Sequence, residues 1–149
     1  MIAFIKHNEE QEAINIRRVF QASYKIEAAL LGALNFPPLS RSLDEFYNCP
    51  NDFVGYYEDH ELVAVVEMKK EATNMHIQSL VVDPNYFRKG IARKLISFVL
   101  NHYDTIQFTV ETGKDNEPAR MLYEGFDFVL EKTYTADENI IKVRYRRNI

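Results

Sequence analysis

Apolar residues along this chain recur at two spacings, every third or fourth position in some segments and every second in others, which predicts helices interleaved with strands. Ile2 to Ile5 predicts a short first strand. From Glu9 to about Gly32 helix formers dominate, with Ile14, Ile16, Val19, Phe20, Ile26, Leu30 and Leu31 as the expected apolar face and room for a break near Ser23. Asn35-Phe36-Pro37-Pro38-Leu39 must be irregular, because adjacent prolines cannot continue a helix. Ser42-Leu43-Asp44-Glu45 reads as a helix start, and Asn48-Cys49-Pro50-Asn51-Asp52 as a stop.

The spacing then shortens. Phe53 to Tyr57 and Leu62 to Met68, joined by Glu58-Asp59-His60-Glu61, predict a hairpin. Leu62-Val63-Ala64-Val65-Val66 is apolar at every position, which places that strand centrally with both faces covered. Met75 to Val82 is a further strand. From Lys89 to His102, the residues Ile91, Ala92, Leu95, Ile96, Val99 and Leu100 return to helical spacing. Ile106 to Val110 predicts a strand, and Asn116 to Glu124 a helix with Asn116 at its N-cap and Pro118 in its first turn. Phe126, Phe128 and Leu130, then Ile141, Val143 and Tyr145, alternate as a closing pair of strands. The fold class implied is α+β: a central mixed, mostly antiparallel sheet of about seven strands with helices on both faces.

Composition narrows the function more than the fold. The 149 residues are expected to form a single domain spanning 1–149. A formal net charge of −4 argues against a nucleic-acid partner, which needs a basic surface. The one cysteine, Cys49, permits no intrachain disulfide, and no apolar run approaches the roughly 18–20 residues that span a bilayer. The opening Met1-Ile2-Ala3-Phe4-Ile5-Lys6-His7 is charged too early for a signal peptide, so a cytoplasmic protein without a membrane partner is expected.

The chemistry concentrates after the strand Leu80-Val81-Val82. An Asp83-Pro84 turn leads into Phe87-Arg88-Lys89-Gly90 and at once into a helix. Free backbone N–H groups, a helix N-terminus and two cations then converge on one point, which suits a pyrophosphate. The usual nucleotide hardware is missing. No GxxxxGK[ST] run exists, and five scattered glycines cannot supply a GxGxxG fingerprint.

Phe87-Arg88-Lys89-Gly90-Ile91-Ala92, after Val82-Asp83-Pro84, resembles the [QR]xxGx[GA] acyl-CoA loop of the GNAT-type N-acetyltransferases. Asn116-Glu117-Pro118-Ala119-Arg120-Met121-Leu122-Tyr123-Glu124 resembles the same family's NxxAxxLYE helix, at the expected distance downstream. The likeness covers about half the chain, roughly Leu62 to Leu130. Two departures stand out: Phe87 replaces Gln or Arg, and Asp127 replaces the glycine of the family's YExxGF ending, which implies an altered turn rather than a lost strand.

The resemblance implies acetyl-CoA as co-substrate, and no metal. Its pyrophosphate would lie on the amides of Arg88, Lys89, Gly90, Ile91, Ala92 and Arg93, with Phe87 at the start of the same cofactor-binding loop. Its pantetheine arm would pair with Leu80, Val81 and Val82 like an added strand, with Asn116 as cap or arm contact. Tyr123 is implied as the acid beside the departing thiolate. A phenol near pKa 10 facing a thiol near 8.5 makes full proton transfer uphill by about 2 kcal/mol, so a hydrogen bond that strengthens with charge is the expected role. The acceptor implied is a primary amine of a small molecule or peptide. A lysine-like amine is neutral in under roughly one part in a thousand at pH 7, so a base is needed. Many relatives use a glutamate where this chain has Gln78. Glu67, His76 (expected to share a strand face with Gln78) and a water relay are the alternatives. Tyr24, Phe36, Pro37, Pro38 and Tyr134 are expected around the acceptor. Homodimers are common in the family, and the oligomeric state stays open. The contrasting function is a non-catalytic acyl-CoA-binding or sensing module, to which Gln78 and Phe87 both point.

Overall fold

The computed structural model describes residues 1–33, 35–136 and 139–149. The first half runs β1 (Ile2–Phe4), α1 (Glu10–Leu31), α2 (Leu43–Tyr47), β2 (Asp52–Glu58), β3 (Glu61–Glu71) and β4 (Asn74–Val82). The second half runs α3 (Ile91–His102), β5 (Gln107–Gly113), α4 (Glu117–Gly125), β6 (Val129–Thr135) and β7 (Ile141–Asn148). Short 3-10 turns at Pro37–Ser40 and Pro84–Tyr86 follow their prolines.

Seven strands form one sheet in the order β1-β2-β3-β4-β5-β7-β6, antiparallel throughout except for the parallel β4–β5 pair. The mixed, mostly antiparallel sheet expected from the hydrophobic pattern is present. β3 is buried from Leu62 to Met68 because its neighbours cover both faces. Ala64, Val66 and Met68 pack with Ile91, Leu95, Ile96 and Val99 of α3 and Tyr123 of α4. Leu62 and Val65 pack with Ile16, Val19 and Phe20 of α1 and Phe46 of α2.

Three local expectations change. α1 is continuous through Ser23 and ends at Gly32, whose left-handed backbone (φ +64°) lets the chain turn away. Its inner stripe is Ala13, Ile16, Val19, Phe20, Tyr24 and Ala28, whereas Ile14, Ile26 and Leu30 are exposed. The stripe steps by three or four residues, and its alanines let the helix lie close to the sheet. Ile16, Val19 and Phe20 of the expected face are in it, with Ala13, Tyr24 and Ala28 in place of Ile14, Ile26 and Leu30. Finally, β6 starts at Val129 rather than Phe126, because the chain first wraps the end of α4. The N–H groups of Phe126 and Phe128 both donate to the Tyr123 carbonyl, at 3.0 and 3.1 Å. Asp127 takes the left-handed conformation (φ +67°) that glycine would otherwise supply. The turn survives, and so does the strand.

Candidate active site

β4 and β5 pair only where Met75–Ile77 faces Phe108–Val110, and beyond that point they part. The opening leaves one edge of β4 without a strand partner. The Asp83 N–H donates to the Val63 carbonyl (2.8 Å), so alternation makes Val65–Val81 the next hydrogen-bonded pair with β3. Leu80 and Val82 therefore turn their N–H groups into the cleft, and the Val82 N–H meets only Ser23 Oγ at 3.4 Å. Leu80 and Val82 line the cavity; Val81 instead packs beneath α1.

The loop at the mouth of this cleft presents backbone donors of the kind that suit an anion. Arg88 and Gly90 both hold left-handed backbone, φ +64° and +73°. Their alternation with neighbours of ordinary φ points successive N–H groups the same way. Those of Arg88, Lys89 and Gly90 have no acceptor among the described residues, and those of Ile91, Ala92 and Arg93 open α3 with no side-chain cap. Phe87, Arg88, Gly90, Ile91, Ala92 and Arg93 line the cavity, whereas Lys89 turns aside, its Nζ 5.1 Å from the Tyr86 ring centroid. The Arg93 guanidinium rests 5.1 Å from the Phe126 ring centroid and is held near the cleft.

From the opposite wall, α4 presents Asn116 and Tyr123. Asn116 Oδ1 accepts the Ala119 N–H at 3.3 Å, the capping role its position suggests. Tyr123 is buried, and its ring meets Phe128 edge-on at 5.7 Å. Burial, with Tyr24 and Glu27 nearby, pushes its phenol well above the usual range. That makes Tyr123 a hydrogen-bond donor at any physiological pH and a reluctant source of a free proton.

The two base candidates are placed differently. Glu67 lines the cavity but is held on every side. Arg41 Nη1 and Nη2 donate to its oxygens at 2.7 and 3.0 Å, Asn51 Nδ2 at 2.8 Å and Cys49 Sγ at 3.4 Å. Burial alone would raise its pKa; these donors, Arg41 first, outweigh burial and hold the carboxyl below its ordinary value. His76 is not among the described cavity-lining residues. Its Nδ1 bonds Thr109 Oγ1 at 2.7 Å, and burial keeps its imidazole below the usual pKa. The alternation linking it to Gln78 is interrupted by a bulge: Glu67 pairs with Ser79 and Met68 with Ile77, which leaves Gln78 as an extra residue at the cavity wall.

The cavity holds about 1030 Å³, and Tyr24, Phe36, Pro37 and Pro38 line it as expected. Tyr134 does not; its hydroxyl donates to Glu111, which does, and Arg144 holds the other Glu111 oxygen at 2.8 Å. Sequence reasoning missed Glu27, Glu111 and Arg41. It also missed that Ile26 and Leu30, exposed on α1, form an apolar rim to the cavity. An outward isoleucine and leucine one turn apart, flanking Glu27, were the available signal.

The family model described as Acetyltransferase (GNAT) family matches residues 17–128. UPF0157 protein YqkA of Bacillus subtilis (strain 168) is 32% identical over 142 residues, 95% of this chain and 41% of that protein. The chain thus spans about two fifths of that relative's length. The ribosomal-protein-S18-alanine N-acetyltransferase of Escherichia coli shares the fold with a TM-score of 0.78 at 16% identity, over 100% of this chain and 93% of that one. PaiA N-acetyltransferase from Thermoplasma acidophilum, in complex with coenzyme A, gives 0.71 at 17% identity over 99% of each chain. YncA from Salmonella typhimurium, with its cofactor acetyl-CoA, gives 0.76 at 12% identity over 99% of this chain and 92% of that one.

Proposed function

Because the chain belongs to the acetyltransferase (GNAT) family, we propose that it moves the acetyl group of acetyl-CoA to a primary amine of a small molecule or peptide, by direct attack of the amine on the thioester. The observation that carries this reading is the cleft itself. The Leu80 N–H on β4 and those of the Arg88–Arg93 loop, without acceptors outside their own helix among the described residues, open into one cavity with Tyr123. In this reading the loop amides of Arg88 to Arg93 hold the pyrophosphate, with Arg88 and Arg93 adding charge, while the Phe87 N–H stays on the Pro84 carbonyl at 3.3 Å and its side chain lines the site. Leu80 and Val82 pair with the pantetheine arm, and Asn116 contacts it while capping α4. Tyr123 donates a hydrogen bond to the sulfur as charge develops there. Neither Glu67 nor His76 is the base we favour, since Glu67 is spent on Arg41 and Asn51 and His76 lies outside the cavity wall. Glu67 instead fixes the floor of the acceptor side.

The proposal extends to one acetyltransferase domain over 1–149, acting in the cytoplasm with no nucleic-acid or membrane partner. The net charge of −4 supports an amine acceptor over a nucleic acid. No described helix is long and apolar enough to cross a membrane. The amide at Gln78 and the tied carboxylate of Glu67 favour the second reading, an acyl-CoA-binding module without turnover. Purified protein incubated with acetyl-CoA and a panel of alkylamines, aromatic amines and short peptides, with free thiol followed, separates the two. Acceptor-dependent thiol release is expected. Tight CoA binding with no release on any amine refutes the enzyme.

A further inference from the structure

Four carboxylates line the cavity among the described residues: Glu27, Glu45, Glu67 and Glu111. Three are occupied. Glu67 is bonded to Arg41 and Asn51, Glu111 to Arg144 and Tyr134, and Glu45 closes a capping box with the Ser42 backbone at 3.2 Å. Glu27 has no ion-pair partner within 4 Å among the described residues, and it stands on the Tyr123 side of the cavity. The groups that face it are Tyr24 from its own helix, Tyr123 and Asn116 from α4 and its cap, and Lys142 from β7. Ile26 and Leu30 flank it with apolar surface.

We propose that Glu27 is the general base of acetyl transfer, taking a proton from the acceptor's ammonium where that nitrogen sits beside Tyr123. This rests on the acetyltransferase reading above. One N–H bond of the ammonium breaks, its proton goes to the Glu27 carboxylate, and the freed lone pair forms the N–C bond to the acetyl carbon. The C–S bond breaks with its electron pair on sulfur, steadied by the Tyr123 hydroxyl. The amide nitrogen sheds a second proton as the thiolate takes one up, and Glu27 returns its own to water. Atoms and charge balance with no further reactant. Burial raises the Glu27 carboxyl above its ordinary pKa, against the pull of Lys142 and Asn116. That brings it nearer the working pH, where a base is most effective. The apolar rim beside it suits an acceptor whose ammonium is carried on a hydrophobic body.

The test compares Glu27→Gln with the unaltered protein on benzylamine, which is protonated at pH 7, and p-anisidine, which is neutral there. On benzylamine kcat/KM should fall at least about 100-fold at pH 7, and the deficit should close as pH rises and the amine loses its proton unaided. On p-anisidine the change should stay within about threefold, with CoA affinity within about twofold, and Glu27→Asp should restore part of the benzylamine rate. An equal loss on both amines, or a benzylamine rate kept within about twofold, overturns the role of Glu27 alone. An unaltered protein that binds CoA and acetylates no amine overturns the enzyme and this role together.

Discussion

Replacing Arg41 with methionine should cost about 3 kcal/mol of folding stability, the lower end of the range for breaking a buried pair. The lower end applies because Arg41 keeps 19% of its side-chain surface in water, while Glu67 keeps 1%. The loss comes less from the missing attraction than from the carboxylate left behind. Without two guanidinium donors, Glu67 retains only Asn51 at 2.8 Å and Cys49 at 3.4 Å. The guanidinium also lies 4.1 Å from the Phe46 centroid, a contact worth roughly 0.5–2 kcal/mol that methionine partly replaces through its own packing. Changing both partners, Arg41→Met with Glu67→Leu, should bring stability back to within about 1 kcal/mol of the starting protein. Denaturant unfolding of the two singles and the double closes the cycle.

The pH dependence gives this prediction its sign. Glu67 has a folded pKa below its unfolded value, so its contribution is present above about pH 4.3 and is lost as pH falls through the folded pKa. In Arg41→Met burial is opposed only by Asn51 and Cys49 and the folded pKa rises, so protonation now relieves the fold. The gap between the two proteins should narrow steadily from pH 7 toward pH 4. A gap that stays flat over that interval, or a single-variant loss under about 1 kcal/mol, refutes the idea that Arg41 keeps a buried charge tolerable.

Tyr123→Phe should lower the rate of acetyl transfer about 100-fold while CoA affinity, measured calorimetrically, stays within about threefold. Arg88→Gly should relieve the left-handed backbone and raise stability by about 0.5–1 kcal/mol after the added entropy of a glycine, yet weaken CoA binding about two- to fivefold through the lost cation. A thermal melt and a binding isotherm on the same preparation read both signs. Asn116→Ala should cost about 1 kcal/mol through the lost α4 cap, seen as a lower unfolding midpoint.

What the sequence made legible was whatever is local in it. The Phe87–Ala92 loop and the Asn116–Glu124 helix each fit within ten residues, and capping, glycine placement and helical spacing position their groups whatever the rest of the chain does. The base is different in kind, because it depends on how distant elements meet. Gln78 and His76 were linked by strand alternation, and one extra residue opposite Glu67–Met68 was enough to break that link. Glu67 looked free because Arg41 lies 26 residues away, in an irregular segment after the prolines where no periodicity predicts a direction. Glu27 depends on the rotation of α1, which buries Ala13 and Ala28 along with Ile16, Val19, Phe20 and Tyr24. Turning the helix to bury Ile26 and Leu30 would carry Glu27 away from its present wall. With the alanine stripe inward, Glu27 stands at the cavity edge beside Tyr24, and the two aliphatics left outside become its rim. The same rotation that made the core hard to read therefore places at the cavity wall a carboxylate with no ion-pair partner among the described residues, the position the proposed base requires.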